Sequence, residues 1–562
     1  MLEFPARALR AVQEGFKRSR DRRPSAVPSP TAGGPHRAAT VLFVILTVLY
    51  VVLLGFNSLR YEGRFSPDSV HYIDTARNIV AGRGISNSMA PLKLAIERAE
   101  TLPRPMTIWG PLYPLLIALS SRAGLPAPAG ALLVPFVFLG IVLYGSYLLI
   151  RELFDETVAL LGVAFLLHFA PLRLVSTYAW SDAVGLAFEV LLFCAVVRVY
   201  RAERSRAGFC AVLAGLAAGM AYAARYALLP LFPMSILLLV ERKRPSETAK
   251  NLGFLSFSFL FIAAPVAIRN LLVTGHLRGA RLPPSLGVPL GKACSHLFRV
   301  VLETARPESW LVGLFYMALL AAMAAMCVVQ IRRRTLLSTL RDILSGGKRY
   351  LLVLWPAGYL AFLLYCESRT PIDPIDARLT VPATLLFLLL FAALLVRVVG
   401  ARPWVFASIS VALALIAVGN EVPTARAVMR TNLPRPYDFQ HKLAVSEALT
   451  WLSANMTDRD LIVAEDGQDF PLYLGPVHTL YFLSSWPSSS QVSYADFTDY
   501  LERYCGKYEH IYLVLNKEPQ RSSRKTSQAG SFLAELAAGP SEQKPGITLK
   551  ADLKDGLVYH IQ

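Results

Sequence analysis

Asp68, His71 and Asp74 stand three residues apart in FSPDSVHYIDTARNIV, so a helix starting near Pro67 puts all three on one face. A carboxylate displayed there can accept a proton from a hydroxyl nucleophile. A further acid, Asp182, opens an apolar stretch in YAWSDAVGLAF. Asp68 and Asp182 each equally read as a helix N-cap, because Ser-Pro-Asp before a helical pattern, or an acid at the head of an apolar run, is an ordinary start signal. Three arginines form the complementary set: Arg225 in AYAARYALLP, Arg269 in APVAIRNLLVTG and Arg378 in PIDARLTVP. Each alone reads as a snorkelling side chain. Together they can surround a phosphate, since guanidinium is a fixed fork of donors that stays charged at every relevant pH.

The elements that must carry these groups are apolar. The chain is 54% hydrophobic and 17% charged, with a mean hydropathy of +0.44, against about 25% charged residues in soluble domains. Apolar runs over 41–57, 130–150, 157–178, 183–198, 208–223, 226–240, 251–271, 309–330, 350–366, 379–398 and 403–420 each suit a hydrocarbon core of about 30 Å. They predict an α-helical polytopic membrane protein of about eleven spans. The run Pro111 to Ser121 is too short to cross and reads as a juxtamembrane helix.

Placing the basic tail 1–40 inside puts Arg198, Arg201, Arg204 and Arg206; Arg242, Lys243 and Arg244; Arg332, Arg333, Arg334, Lys348 and Arg349; and Arg397 with Arg402 on the same side. That is the positive-inside pattern. The transmembrane domain 41–420 then exports a large first loop over 58–129, a loop from Val273 to Glu308, and the tail 421–562. The tail reads as a small extracytoplasmic α/β domain, with a helix in SEALTWLSANM and strands in DLIVAED, HIYLVLN and LVYHIQ. Asp466 and Asp469 read as turn residues within it.

The net charge of +18 sits in short clusters between apolar runs rather than on one amphipathic face, so it marks topology and no nucleic-acid partner is expected. Cys194, Cys210, Cys327 and Cys366 fall in or beside apolar segments and imply no metal site. The N-terminal run Val41 to Phe56 reads as an uncleaved signal anchor. The setting is a cell (cytoplasmic) membrane, with several passes and the reactive groups outside.

In PDSVHYIDTARNIVAGRG after the first span, RPMTIWGPLYPLLIAL from Arg104, WSD at Asp182, AGLAAGMAYAARYALLPLFP, IRNLLVTG and DARLTVPA, the sequence resembles the GT-C class of polyprenyl-phosphate-dependent membrane glycosyltransferases. The likeness is to the protein O-mannosyltransferase and aminoarabinose transferase branch, and it covers most of the chain as an ordered pattern. It implies the GT-C fold, a polyprenyl-phosphate-sugar donor, a protein, lipid or glycan acceptor, Asp68 as catalytic base and Asp182 in the second acidic position. Ser69 follows Asp68 where the mannosyltransferases place Glu, which counts against mannose transfer to protein. The metal-ligand carboxylate set of oligosaccharyltransferases is not evident, and no cofactor is expected, although His71 and Asp74 leave room for a divalent cation.

The mechanism this implies is an inverting displacement. Asp68 takes the acceptor proton, Arg225, Arg269 and Arg378 meet the charge on the leaving phosphate, and His71 and Tyr72 line the substrate. Trp109, Tyr113 and Trp180 read as path-lining residues or interfacial anchors. A secondary transporter is the competing expectation, with Glu189 the one acid placed to support it. A non-catalytic scaffold presenting the tail is the third.

Overall fold

The computed structural model describes residues 34–304 and 310–430, apart from short stretches within them, and most of 446–482, 494–516 and 547–561. The tail 1–33, the basic residues Arg242, Lys243, Arg244, Arg333, Arg334 and Lys348, and the turn residues Asp466 and Asp469 lie outside the described residues. Helix α1 spans Gly34–Asn57 and runs into a π turn, Ser58–Glu62. The first loop then holds α2 (Pro67–Val80), the short strands β1 (Ser86–Asn87), β2 (Met89–Pro91) and β3 (Arg104–Pro105), and α3 (Leu112–Arg122). The remaining bundle is α4 (Ala127–Leu153), α5 (Glu156–Leu167), α6 (Ala170–Thr177), α7 (Asp182–Arg201), α8 (Arg204–Ala224), α9 (Leu231–Leu239), α10 (Pro245–Thr274), α11 (Leu290–Thr304), α12 (Trp310–Arg332), α13 (Leu351–Arg369), α14 (Ala377–Val399) and α15 (Pro403–Arg430).

Each of the eleven apolar runs is helical over most of its described residues. Among the described residues, eight helices are long and apolar enough to cross a membrane, and α5 with α6 make a ninth, broken span bent by 60°. The break falls at His168 and Phe169, ahead of Pro171, which cannot donate to the ladder and so starts a new helix. The run 226–240 also differs from a full span. Pro230, at the N-cap of α9, marks the break between a 3-10 turn, Tyr226–Leu228, and the nine-residue α9. The last helix continues past Glu421 to Arg430. There the buried Glu421 carboxylate accepts from Asn57 Nδ2 at 2.7 Å and pairs with Arg173 at 3.1 Å, tying α15 to α1 and α6.

The tail adds α16 (Glu447–Asn455), β4 (Leu461–Glu465), α17 (Phe470–Leu474), β5 (His478–Phe482), α18 (Tyr494–Tyr504), β6 (Ile511–Asn516), β7 (Ile547–Asp552) and β8 (Gly556–Ile561). Its sheet has the order β2-β5-β4-β6-β8-β7, so one edge strand comes from the first loop. Met89, Ala90 and Pro91 pair in parallel with Thr479, Leu480 and Tyr481. Pro91 is tolerated there because an edge strand leaves one side of its backbone unpaired.

Helices α8 and α10 pack face to face. Gly215 and Gly219, four apart, let the backbones close, as small residues do between membrane helices. A Cβ on Gly215 would collide with the Leu255 carbonyl and the Ser258 hydroxyl, and one on Gly219 would lie 2.7 Å from Ile262 Cβ. Gly253 on α10 faces open space. Gly215→Val is therefore expected to destabilise the detergent-solubilised protein by about 2 kcal/mol or more, read as a lower thermal midpoint, whereas Gly253→Ala, in open space within its helix, does not lower the midpoint.

Candidate active site

The N-cap of α2 is Ser66, not Asp68. Ser66 and Ser69 form a reciprocal capping box, with Ser66 N donating to Ser69 Oγ at 3.0 Å, and Pro67 occupies the first turn. Asp68 is thereby released from backbone duty, and its carboxylate accepts from Arg378 Nη1 at 2.8 Å. Asp182 starts α7 and makes no capping bond among those observed there; its Oδ2 accepts from Arg378 Nε at 3.0 Å and its Oδ1 pairs with Arg225 Nη1. One guanidinium thus bridges two carboxylates, and a second arginine backs the inner one.

Backbone pairing brings the parts together. Arg64 N donates to Thr177 O at 3.3 Å and Ala179 N to Arg64 O at 3.1 Å, so the approach to α2 lies against the approach to α7. Arg225 follows the end of α8, where Gly110 of the first loop packs so closely on the Ala223 carbonyl that no side chain fits. Arg378 sits in the first turn of α14, which is capped by Asp376 through Leu379 N at 2.8 Å. Trp180 lies beneath it, with the Arg378 guanidinium 4.2 Å above the ring, Tyr178 stacked at 4.0 Å on the indole, and Trp180 Nε1 donating to Ser66 Oγ at 2.7 Å. The indole therefore holds Arg378 by cation–π attraction and ties it to the cap of α2.

The other expected site residues divide. Tyr72 belongs to the cluster: its hydroxyl meets Ser181 Oγ at 3.1 Å, and burial with the nearby Asp68 charge pushes its pKa up to about 12. His71 faces Asn87 and Tyr481 and is stacked 4.5 Å from Trp109. Burial holds its pKa down at about 4, so it adds no cation at neutral pH. Asp74 turns to Ser88 N at 2.5 Å, and burial raises its pKa to about 6. Arg269 donates instead to the Met106 and Ile85 carbonyls at 2.8 and 2.6 Å, which fastens α10 to the first loop. Tyr113 is fully buried against Tyr72, and Glu189 accepts from Trp355 Nε1 at 2.6 Å within the bundle.

Residues 105–268 match the family described as dolichyl-phosphate-mannose-protein mannosyltransferase. No curated protein matches the chain. Among solved structures, the chain is similar to ArnT from Cupriavidus metallidurans in the apo state, with 12% identity, a TM-score of 0.57, and coverage of 93% of this chain and 98% of that one. ArnT from the same organism bound to undecaprenyl phosphate matches at 12% identity and a TM-score of 0.54, over 93% and 97% of the two chains. The chain has the GT-C fold of membrane glycosyltransferases.

In this GT-C chain the acid–arginine cluster sits where the ends of α7, α8 and α14 meet the first loop. Among the described residues no three His, Cys, Asp or Glu side chains form a group able to hold a metal ion. The sequence reading missed Ser66, Asn87 and Tyr481. The Ser-x-x-Ser spacing could have revealed Ser66, whereas Tyr481 lies 410 residues from its partner and leaves no local signal.

The shifted groups set a pH response. His71 and His478, both held near 4 by burial, bind protons more readily in the unfolded chain, so their stabilisation is lost as pH falls from about 6.5 toward 4. Asp74 acts oppositely: raised to about 6, it binds its proton more readily in the folded chain and offsets that loss over the same range. Asp74→Asn removes the offset, so its thermal midpoint is expected to fall more steeply than wild type between pH 6.5 and 4.

Proposed function

We propose that this protein transfers a sugar from a polyprenyl-phosphate carrier to an acceptor at the extracytoplasmic membrane face, by an inverting displacement. The observation that carries this reading is Arg378 spanning Asp68 and Asp182 at one end of the bundle, with Arg225 behind. Asp68 is the more accessible acid, with its side chain 27% exposed against 3% for Asp182. That exposure supports Asp68 as the group that meets an acceptor hydroxyl. Asp182, enclosed by two guanidinium groups, is an anchor that aims them.

In the reaction the acceptor oxygen attacks the anomeric carbon and gives its proton to Asp68. The bond between that carbon and the phosphate oxygen breaks, and the phosphate leaves on its lipid with its charge met by Arg378 and Arg225. No acid is needed because the leaving group is a stabilised anion. Donor phosphate competes with Asp68 for Arg378, so donor binding frees the base. Tyr72 contributes a hydroxyl beside the reacting atoms, and Arg269 steadies the loop that carries them. A polyprenyl carrier is supported by the undecaprenyl phosphate bound to the similar ArnT, and the lipid tail explains why the site lies at the end of membrane helices.

The test uses purified protein in lipid nanodiscs with a panel of undecaprenyl-phosphate-linked sugars and chromatographic detection of undecaprenyl phosphate released. Asp68→Asn is expected to lower kcat by about 10³-fold with the fold intact. Wild-type turnover in that variant, or no release from any donor by the wild type, overturns the reading. Trp180→Leu removes both the ring under Arg378 and the donor to Ser66 and is expected to cost about tenfold or more in kcat/KM, whereas Trp180→Phe, which keeps the ring face, loses less.

A further inference from the structure

The tail sheet reaches the reactive helix through one side chain. Tyr481, on β5, is buried, and its hydroxyl lies 3.3 Å from His71 Nε2, one turn along α2 from Asp68. The protons of this contact follow from its neighbours. Thr75 Oγ1 gives its hydrogen to Met106 Sδ at 3.1 Å, so it accepts from Asn87 Nδ2 at 2.7 Å, which also donates to the His71 carbonyl at 3.0 Å. Those bonds fix the Asn87 amide with Oδ1 toward His71 Nδ1 at 2.7 Å. Nδ1 therefore carries the imidazole hydrogen, Nε2 presents a lone pair, and the Tyr481 hydroxyl donates to it.

We propose that Tyr481 is a positioning residue for the Asp68 site: it locks His71 in the Nδ1–H tautomer, flat on Trp109, and so sets the pose of the helix that presents Asp68. The inference rests on the glycosyl-transfer reading of Asp68. It assigns the tail a part in the reaction rather than a separate task. Both imidazole nitrogens are occupied, so His71 acts on the site through its ring face and helix and not by binding substrate through nitrogen. The charges that bear on the ring are Asp68 on its own helix and Arg104 on β3, which donates from Nε to the Met89 carbonyl at 3.2 Å. The strand pairing of Ala90 with Leu480 and Pro91 with Tyr481, and a bond from Arg77 Nη1 to the Pro471 carbonyl, fix the tail on this helix independently of the hydroxyl. Removing the hydroxyl alone therefore leaves the docking in place.

Tyr481→Phe keeps the ring and removes only the donor. In the nanodisc assay its kcat is expected to fall about tenfold while KM for the donor stays within about twofold. The acid limb of its pH–rate profile moves to higher pH, since a lone pair relieved of its donor takes a proton more readily. Unchanged kcat, or a lower kcat with an unmoved acid limb, overturns the inference. A second measurement needs no turnover: ¹⁵N-histidine spectra of the full chain, with His71 assigned by His71→Gln. Protonation of His71 at higher pH in Tyr481→Phe than in wild type upholds the inference, and identical titration rejects it. Absence of sugar release by the wild type defeats the Asp68 reading, while the spectra still decide whether Tyr481 governs His71.

Discussion

Asp182 is 3% exposed at the head of a membrane helix, and a carboxylate so placed must be matched by cations. Breaking such a buried pair costs roughly 3–5 kcal/mol, because the survivor is left charged without water. Satisfying it draws in Arg225 from the end of α8 and Arg378 from the start of α14. Three helix ends are thereby fixed at one point, and Arg378 has donors left over for Asp68 on the loop helix. The geometry of the cluster follows from the need to neutralise one inner charge.

The first loop is held to this point by bonds that have little to do with chemistry. Asn78 and Asp74 close on Ser88, Arg269 grips two loop carbonyls, and Gly110 lies directly on the end of α8. The loop helix is therefore part of a packed core that includes Tyr72, Ile73, Tyr113 and Tyr481. An acid on such a helix is presented in one orientation, which is what electrostatic preorganisation requires.

Much of this was legible in the sequence, for local reasons. Length and apolarity mark each membrane helix, and three-residue spacing put Asp68, His71 and Asp74 on one helix. The spacing did not tell which of the three would face the arginines, because the partners of His71 and Asp74 come from Asn87 and Ser88, where the loop turns back, and from Tyr481 in the distant tail. Capping was ambiguous for a local reason: Asp68 suits a helix start, and it is the reciprocal box of Ser66 and Ser69 that takes the cap and leaves the Asp68 carboxylate to Arg378. Arg269 has the same chemistry and similar placement as Arg225, yet it meets loop carbonyls. The edge strand β2 is three residues long and ends in a proline, too short and irregular to be read as a strand before its partner is seen.

That edge strand also dictates an order of assembly. Met89–Pro91 emerges early in synthesis but has nothing to pair with until His478–Phe482 follows, after every membrane helix has been made. Contacts of such sequence separation form late. The loop bearing Asp68 therefore waits, incomplete, through most of translation and membrane insertion. It reaches its final shape only once His478–Phe482 has been made, so a chain stalled before that strand lacks the pairing that completes its first loop.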